Sequence, residues 1–239
     1  MIKLEKTEVC GWEPSIRGMR NPHNSWDKMD SGYYNQCDEC GSLYDYSVGP
    51  NDHDLMMRLR NAGTDDRKCI RMIVVYVDIT APLYWWKEFE TYRVGVAPNP
   101  TDIEMNSCST MHKIHDKEFT FDDFSHEHLF VDDSTPLLGD IINLLNKARA
   151  YYKAIDEEIK SGKLTPNERL ECVEKRKQYW WQMIQLLPSS YNQKRTLMLN
   201  YEALANMYKS RKGHKLDEWR ELCTWIESLP YSEIITGGE

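Results

Sequence analysis

The chain has 239 residues, with 30 Lys and Arg against 38 Asp and Glu, so the net charge is −8; 41% of residues are hydrophobic and 28% are charged. That is an ordinary globular composition in a chain long enough to bury a full core. No run approaches the roughly 18 consecutive apolar residues of a membrane span, and dispersed negative charge excludes bulk nucleic-acid binding, which needs a concentrated positive surface. A pocket for one small anion is still compatible with this balance. The seven cysteines are odd in number and irregularly spaced, and MIKLEKTEVCGW lacks a basic start followed by an apolar run. Reduced thiols and a cytoplasmic location are therefore expected.

The first fifty residues are dense in Gly, Pro, Asn, Asp, Trp and Tyr, which predicts an irregular arm packed on the core, with a short helix around 15–19. From Asp52, helical spacing of Leu55, Leu59 and Ala62 ends at Gly63, where a helix stops. RMIVVYVDITAP is rich in β-branched residues and predicts a strand closed by Pro82. PLYWWKEFETYRVG resumes helical spacing through Leu83, Trp86 and Phe89, and VAPNPTDIEMN follows as a loop. The second half predicts helices over 137–159, 165–187, 197–211 and 217–229, the second opened by a Thr-Pro-x-Glu capping box. The economical reading is one α/β domain over 51–239, preceded by the arm.

Cys37-x-x-Cys40 is half of a zinc site that Cys10 or His53 could complete; ordinary loop thiols are the competing reading. His112-x-x-His115 and His126-x-His128 lack the His-Glu-x-x-His pattern and read as surface or hydrogen-bonded imidazoles. No Gly-x-Ser-x-Gly elbow, Walker loop or dinucleotide glycine fingerprint is present, which removes the common hydrolase and nucleotide-triphosphate classes. On a helix over 197–211, Asn200 and Arg211 fall within about 20° of one another and Asn206 about 120° from Asn200. Polar groups on two faces of an otherwise apolar helix either satisfy neighbouring backbone or hold a ligand.

LPSSYNQKRTLMLNYEALANMYKSR, from Leu187 to Arg211, resembles the flavin-dependent thymidylate synthases, with Pro188, Asn200, Asn206 and Arg211 at that family's spacing. PLYWWKEFETYR resembles its strand-to-helix motif, placing Lys87 and Glu88 at an Arg-Gln pair and Thr91, Tyr92 and Arg93 at Arg-His-Arg. NSCSTMH keeps Asn106 and Ser109 of a third motif. The resemblance spans roughly 50–225 and implies a mostly antiparallel central sheet flanked by long helices, assembled as a homotetramer. It further implies FAD held by Tyr92, Arg93, Asn200 and Asn206, and dUMP or a related pyrimidine nucleotide held by Glu88, Ser107, Ser109 and Arg211. Arg211 is the implied catalytic residue, donating to the uracil ring while a folate one-carbon unit is transferred to C5 without an enzyme thiol; Cys108 then reads as a passive thiol. The sequence departs from the motifs at Ser107 (a glutamate in the family), Met111 (the phosphate-binding arginine), Met72 (a histidine) and Ile184 (an arginine). Lys68, Arg71, Lys87 or Arg93 are the available substitutes for the missing charge. Two alternatives stand beside the enzyme: a non-catalytic relative that binds a different nucleotide or a protein partner, and a zinc-stapled interaction protein built on Cys37 and Cys40.

Overall fold

The computed structural model describes residues 2–36, 43–92, 103–108 and 110–238. Its strands are β1 (Lys3–Cys10), β2 (Gly32–Gln36), β3 (Leu43–Ser47), β4 (Val74–Pro82), β5 (Glu104–Ser107) and β6 (Asn192–Asn200). The helices are α1 (Trp12–Arg20), α2 (Pro50–Ala62), α3 (Leu83–Phe89), α4 (Thr110–Lys113), α5 (Ser134–Lys160), α6 (Pro166–Leu186), α7 (Tyr201–Arg211), α8 (Asp217–Glu227) and α9 (Glu233–Thr236). None of these helices is long and apolar enough to cross a membrane. The chain divides into two compact units, one formed by Thr80–Trp86 with Ser107–Lys194 and the other by Ile2–Ile79, Lys87–Asn106 and Arg195–Glu239.

The first unit is organised by the α5–α6 hairpin. The pairs Tyr151–Tyr179, Asp156–Arg176 and Glu158–Cys172 run in opposite order along the two helices, so the helices are antiparallel. Thr165 starts α6 with the expected capping box: its hydroxyl accepts from Glu168 N, the Glu168 carboxylate accepts from Thr165 N at 2.8 Å, and Pro166 follows. The apolar stripe of α5, Leu138, Ile142, Leu145 and Ala148, is buried with Met183, Tyr191, Phe119 and Phe124.

In the second unit lies an antiparallel sheet of order β1-β4-β6-β5, and β4 and β6 contribute residues to both units. Along β4, Val75, Val77, Ile79 and Ala81 are buried, while the intervening Val74, Tyr76, Asp78 and Thr80 are not. This is the period-2 pattern of a strand with one covered face. Pro82, which has no N–H for a ladder, ends the strand as expected.

Two expectations are corrected here. The arm over 1–50 is not irregular: it supplies edge strand β1, helix α1 and the β2–β3 ribbon, in which Tyr33 opposes Tyr46. β1 is mostly exposed and gains its stability from pairing with β4, more than sixty residues away, so local periodicity carries little of its signal. The helix over 197–211 is a strand followed by a helix: residues 192–200 form β6, Asn200 has extended φ −121° and ψ 166°, and α7 starts at Tyr201. The spacing of Leu197, Tyr201, Leu204 and Tyr208 fits a helix continuously, but burial of Leu197 and Leu199 across Met198 is strand alternation.

A buried polar network ties the N-terminal segment to α2. Asp52, fully buried, accepts Arg20 Nε at 2.8 Å, Ser31 Oγ at 2.6 Å and the amides of Asp30 and Ser31 at 3.0 Å. Asp30 in turn accepts the amides of Asn51 and Asp52, satisfying orphan donors in the first turn of α2. A Cβ on Gly49 would lie 2.3 Å from the Asp30 carboxyl carbon, so this close approach requires glycine.

Candidate functional site

Arg211 closes α7, where a cation complements the helix dipole. Its Nε donates to Tyr92 Oη at 2.7 Å and its Nη1 to Glu88 Oε2 at 3.0 Å. The guanidinium lies 4.5 Å from the Trp219 ring centroid and 5.4 Å from that of Tyr92. Trp219 is fully buried, is stacked on Phe89 with an interplanar angle of 12°, and donates its indole N–H to the same Glu88 oxygen at 2.9 Å. His214 Nδ1 accepts from Leu216 N, which leaves the neutral ring's proton on Nε2, 3.7 Å from that oxygen. A planar, always-charged guanidinium suits this cage because it can stack and donate in plane at once.

The cage fixes Arg211 without exhausting it. The bonds to Tyr92 and Glu88 use two of its five N–H donors, and its side chain keeps 18% of its surface exposed. It can therefore present a fixed cationic donor to a carbonyl oxygen. The predicted residues Glu88, Tyr92 and Arg211 are thus brought together, although Tyr92 and Glu88 are committed to holding Arg211. Trp219 and His214 were missed, since nothing in their spacing links them to residues more than a hundred positions upstream.

Asn200 and Asn206 are not brought together. Asn200 is the N-cap of α7: its buried Oδ1 accepts from Ala203 N at 2.8 Å, so the helix-wheel relation to Arg211 does not apply. Asn206 lies about 140° around α7 from Arg211 and lines a cavity of about 470 Å³ with Arg60, Arg67, Tyr208, Lys209, Lys212 and residues 235–237. Its side-chain amide has no hydrogen-bond partner among the described residues. Nearby, the fully buried Glu202 forms ion pairs with Arg67, at 2.9 Å, and with Arg71. Arg71 is therefore committed to Glu202 and to the Thr64 carbonyl, and Lys68 and Lys87 are exposed.

In the other unit, Ser107 is exposed at the end of β5, and Met111 is exposed with its carbonyl accepting Trp180 Nε1. Gln193 Nε2 donates to Thr110 Oγ1 at 2.7 Å and to the Cys108 carbonyl at 3.2 Å, ordering this segment against β6. Ile184 packs at the margin of the apolar core. His126 Nδ1 meets the Phe124 carbonyl at 2.8 Å, and the His115 ring lies 4.3 Å from that of Tyr152. Among the described residues no group of three or more His, Cys, Asp or Glu could hold a metal. His53 lies 2.7 Å from Glu233. Cys37, Cys40, Arg93 and Ser109 lie outside the described residues.

No protein-family model and no curated protein sequence matches the chain. Solved structures do. The crystal structure of thymidylate synthase X from Helicobacter pylori with FAD and dUMP aligns with a TM-score of 0.61 at 12% identity, covering 98% of this chain and 96% of that one. A further structure of the flavin-dependent thymidylate synthase ThyX from Helicobacter pylori, complexed with FAD and dUMP, aligns with a TM-score of 0.57 at 14% identity, covering 97% of this chain and 96% of that one. This chain has the fold of those proteins over nearly its whole length.

Proposed function

We propose that this chain is a flavin-dependent thymidylate-synthase-like protein that takes FAD and methylates dUMP, or a related pyrimidine nucleotide, at C5 with a folate one-carbon donor. The observation that carries the reading is Arg211: a stacked guanidinium with donors to spare, on a fold whose solved neighbours are named with FAD and dUMP. A fixed cation beside the pyrimidine would stabilise negative charge developing on the ring without reorganising at the moment of reaction. Among the residues expected to hold FAD, Asn206 fits, because its amide faces a cavity and lacks a protein partner. Asn200 contributes its Oδ1 to the helix cap, and Tyr92 its hydroxyl to Arg211. When bound, a reduced flavin supplies the electrons that conversion of the one-carbon unit to a methyl group requires. Assembly as a homotetramer belongs to the same reading and is checked by light scattering on the purified chain.

The decisive test combines the absorption spectrum and FAD-dependent melting of the purified protein with tritium release from C5-labelled dUMP. A colourless protein whose melting temperature ignores FAD would sink the proposal, because a ligand bound only by the folded state must stabilise it. A non-catalytic relative is the second reading, favoured by the pairing of Arg211 with Glu88 and by methionine at positions 72 and 111. It is upheld by FAD or nucleotide binding without tritium release.

A further inference from the structure

The cavity beside Asn206 is built from cations contributed by separate elements. Arg60 comes from α2, Arg67 from the short turn before β4, and Lys209 and Lys212 from the end of α7. Arg60 is seated by the carbonyls of Ile234 and Ile235, at 3.0 and 2.9 Å, so it caps α9 while those neutral acceptors leave its charge uncancelled. Arg67 shares Glu202 with Arg71, one carboxylate against two guanidiniums. Lys212 Nζ sits 5.5 Å from the Tyr208 ring centroid, and Lys209 has no ion-pair partner among the described residues. The described lining residues include no carboxylate. In a chain of net charge −8, a cavity walled by four cations is a local reversal of sign.

We infer that this cavity binds the phosphate group of a small organic phosphate, with Lys209 and Lys212 as its charged contacts, Arg60 and Arg67 setting a positive floor, and the Asn206 amide donating at the rim. The volume of about 470 Å³ suits a nucleotide-sized ligand. Arginine and lysine supply the charge-assisted donors that phosphate oxygens accept. This inference stands on the four cations, none of which carries the proposed function; Asn206 alone belongs to both.

The test is calorimetric titration of the full chain with inorganic pyrophosphate, dUMP, FAD, deoxyuridine and riboflavin, repeated for the Lys209→Gln, Lys212→Gln double variant. Both lysines lie on the exposed surface, and the melting temperature without ligand reports that the variant is folded. The expected result is binding of pyrophosphate and of a phosphorylated ligand but not of the uncharged pair, weakened by salt and weakened at least about tenfold in the double variant, the scale of one lost charged hydrogen bond. Tighter binding of dUMP identifies a monophosphate site, and tighter binding of FAD a diphosphate site. The inference is overturned if no phosphate compound binds, if riboflavin binds as well as FAD, or if a folded double variant binds unchanged. FAD binding that survives the double variant leaves the proposed function standing and removes this one. Pyrophosphate binding lost in that variant, with neither FAD nor dUMP bound by the parent, does the reverse.

Discussion

Replacing Arg211 with methionine keeps much of the side chain's stem while removing the guanidinium from its cage. Three interactions are lost: the charged donor to Tyr92 at 2.7 Å, the pair with Glu88 at 3.0 Å, and the cation 4.5 Å from the buried Trp219 ring. A hydrogen bond from a charged group contributes about 1.5 kcal/mol. The Glu88 pair, with its carboxylate side chain 37% exposed, contributes about 0.5 kcal/mol, and the cation–ring contact about 1 to 2 kcal/mol. Arg211→Met should therefore lose about 3 to 4 kcal/mol. In a chain of this size each kcal/mol moves the melting temperature by about 2–4 °C, so scanning calorimetry should find a drop of roughly 6–16 °C. Arg211→Lys, which keeps the charge but not the planar fork, should fall between the parent and Arg211→Met. A double-mutant cycle with Glu88→Gln should return a coupling of about 0.5 kcal/mol or more. A drop of less than about 2 °C for Arg211→Met would show that the cage does not hold this side chain, and the reading of Arg211 as a prepositioned donor would go with it.

The Asp52 network makes two further predictions. Arg20→Met strands a fully buried carboxylate and should cost about 3 to 5 kcal/mol, measured by urea unfolding. Burial pushes the Asp52 carboxyl up, but hydrogen bonds from Ser31 and Arg20 outweigh it and hold its folded-state pKa below the ordinary carboxylate value. Its stabilisation is thus present above the unfolded value near pH 4 and is lost as pH falls through the folded value; the difference in unfolding free energy between pH 7 and pH 3 should shrink in Asp52→Asn. At Asn200, alanine should cost about 1 kcal/mol and aspartate almost nothing, because the oxygen that caps α7 is retained. A melting temperature equally low in both variants would refute the capping role. Burial raises the Cys69 and Cys223 thiols to about 11, whereas Cys10 and Cys108 are exposed. Mass spectrometry after brief iodoacetamide treatment at pH 8 should find Cys10 and Cys108 modified well before Cys69 and Cys223, and the opposite order would contradict the burial.

Where local chemistry and tertiary environment agree, the elements could be read directly. The Thr165 capping box, the β-branched run of β4 ended by Pro82, and the apolar stripe of α5 each specify their structure through neighbours within a few residues. β6 and α7 show where this fails. The spacing from Leu197 to Tyr208 satisfies a helix, yet the first part of it lies between β4 and β5, and pairing with strands distant in sequence overrides local periodicity. The same long-range pairing explains why β1 was invisible in KLEKTEVC, an edge strand with a largely exposed surface.

The residues themselves determined which chemistry was available: the asparagines and arginine of the LNYEALANMYKSR stretch, and the methionines at positions 72 and 111 that remove expected polar contacts. Only the tertiary structure decided how those groups are used. It turned Asn200 into a helix cap, gave Arg211 a stack on Trp219 and a carboxylate from Glu88, and directed Asn206 into a cavity lined by cations from three segments. The reason is physical: what a polar side chain can offer a ligand depends on which of its hydrogen bonds the fold has already used, and the partners here are up to 131 residues away along the chain.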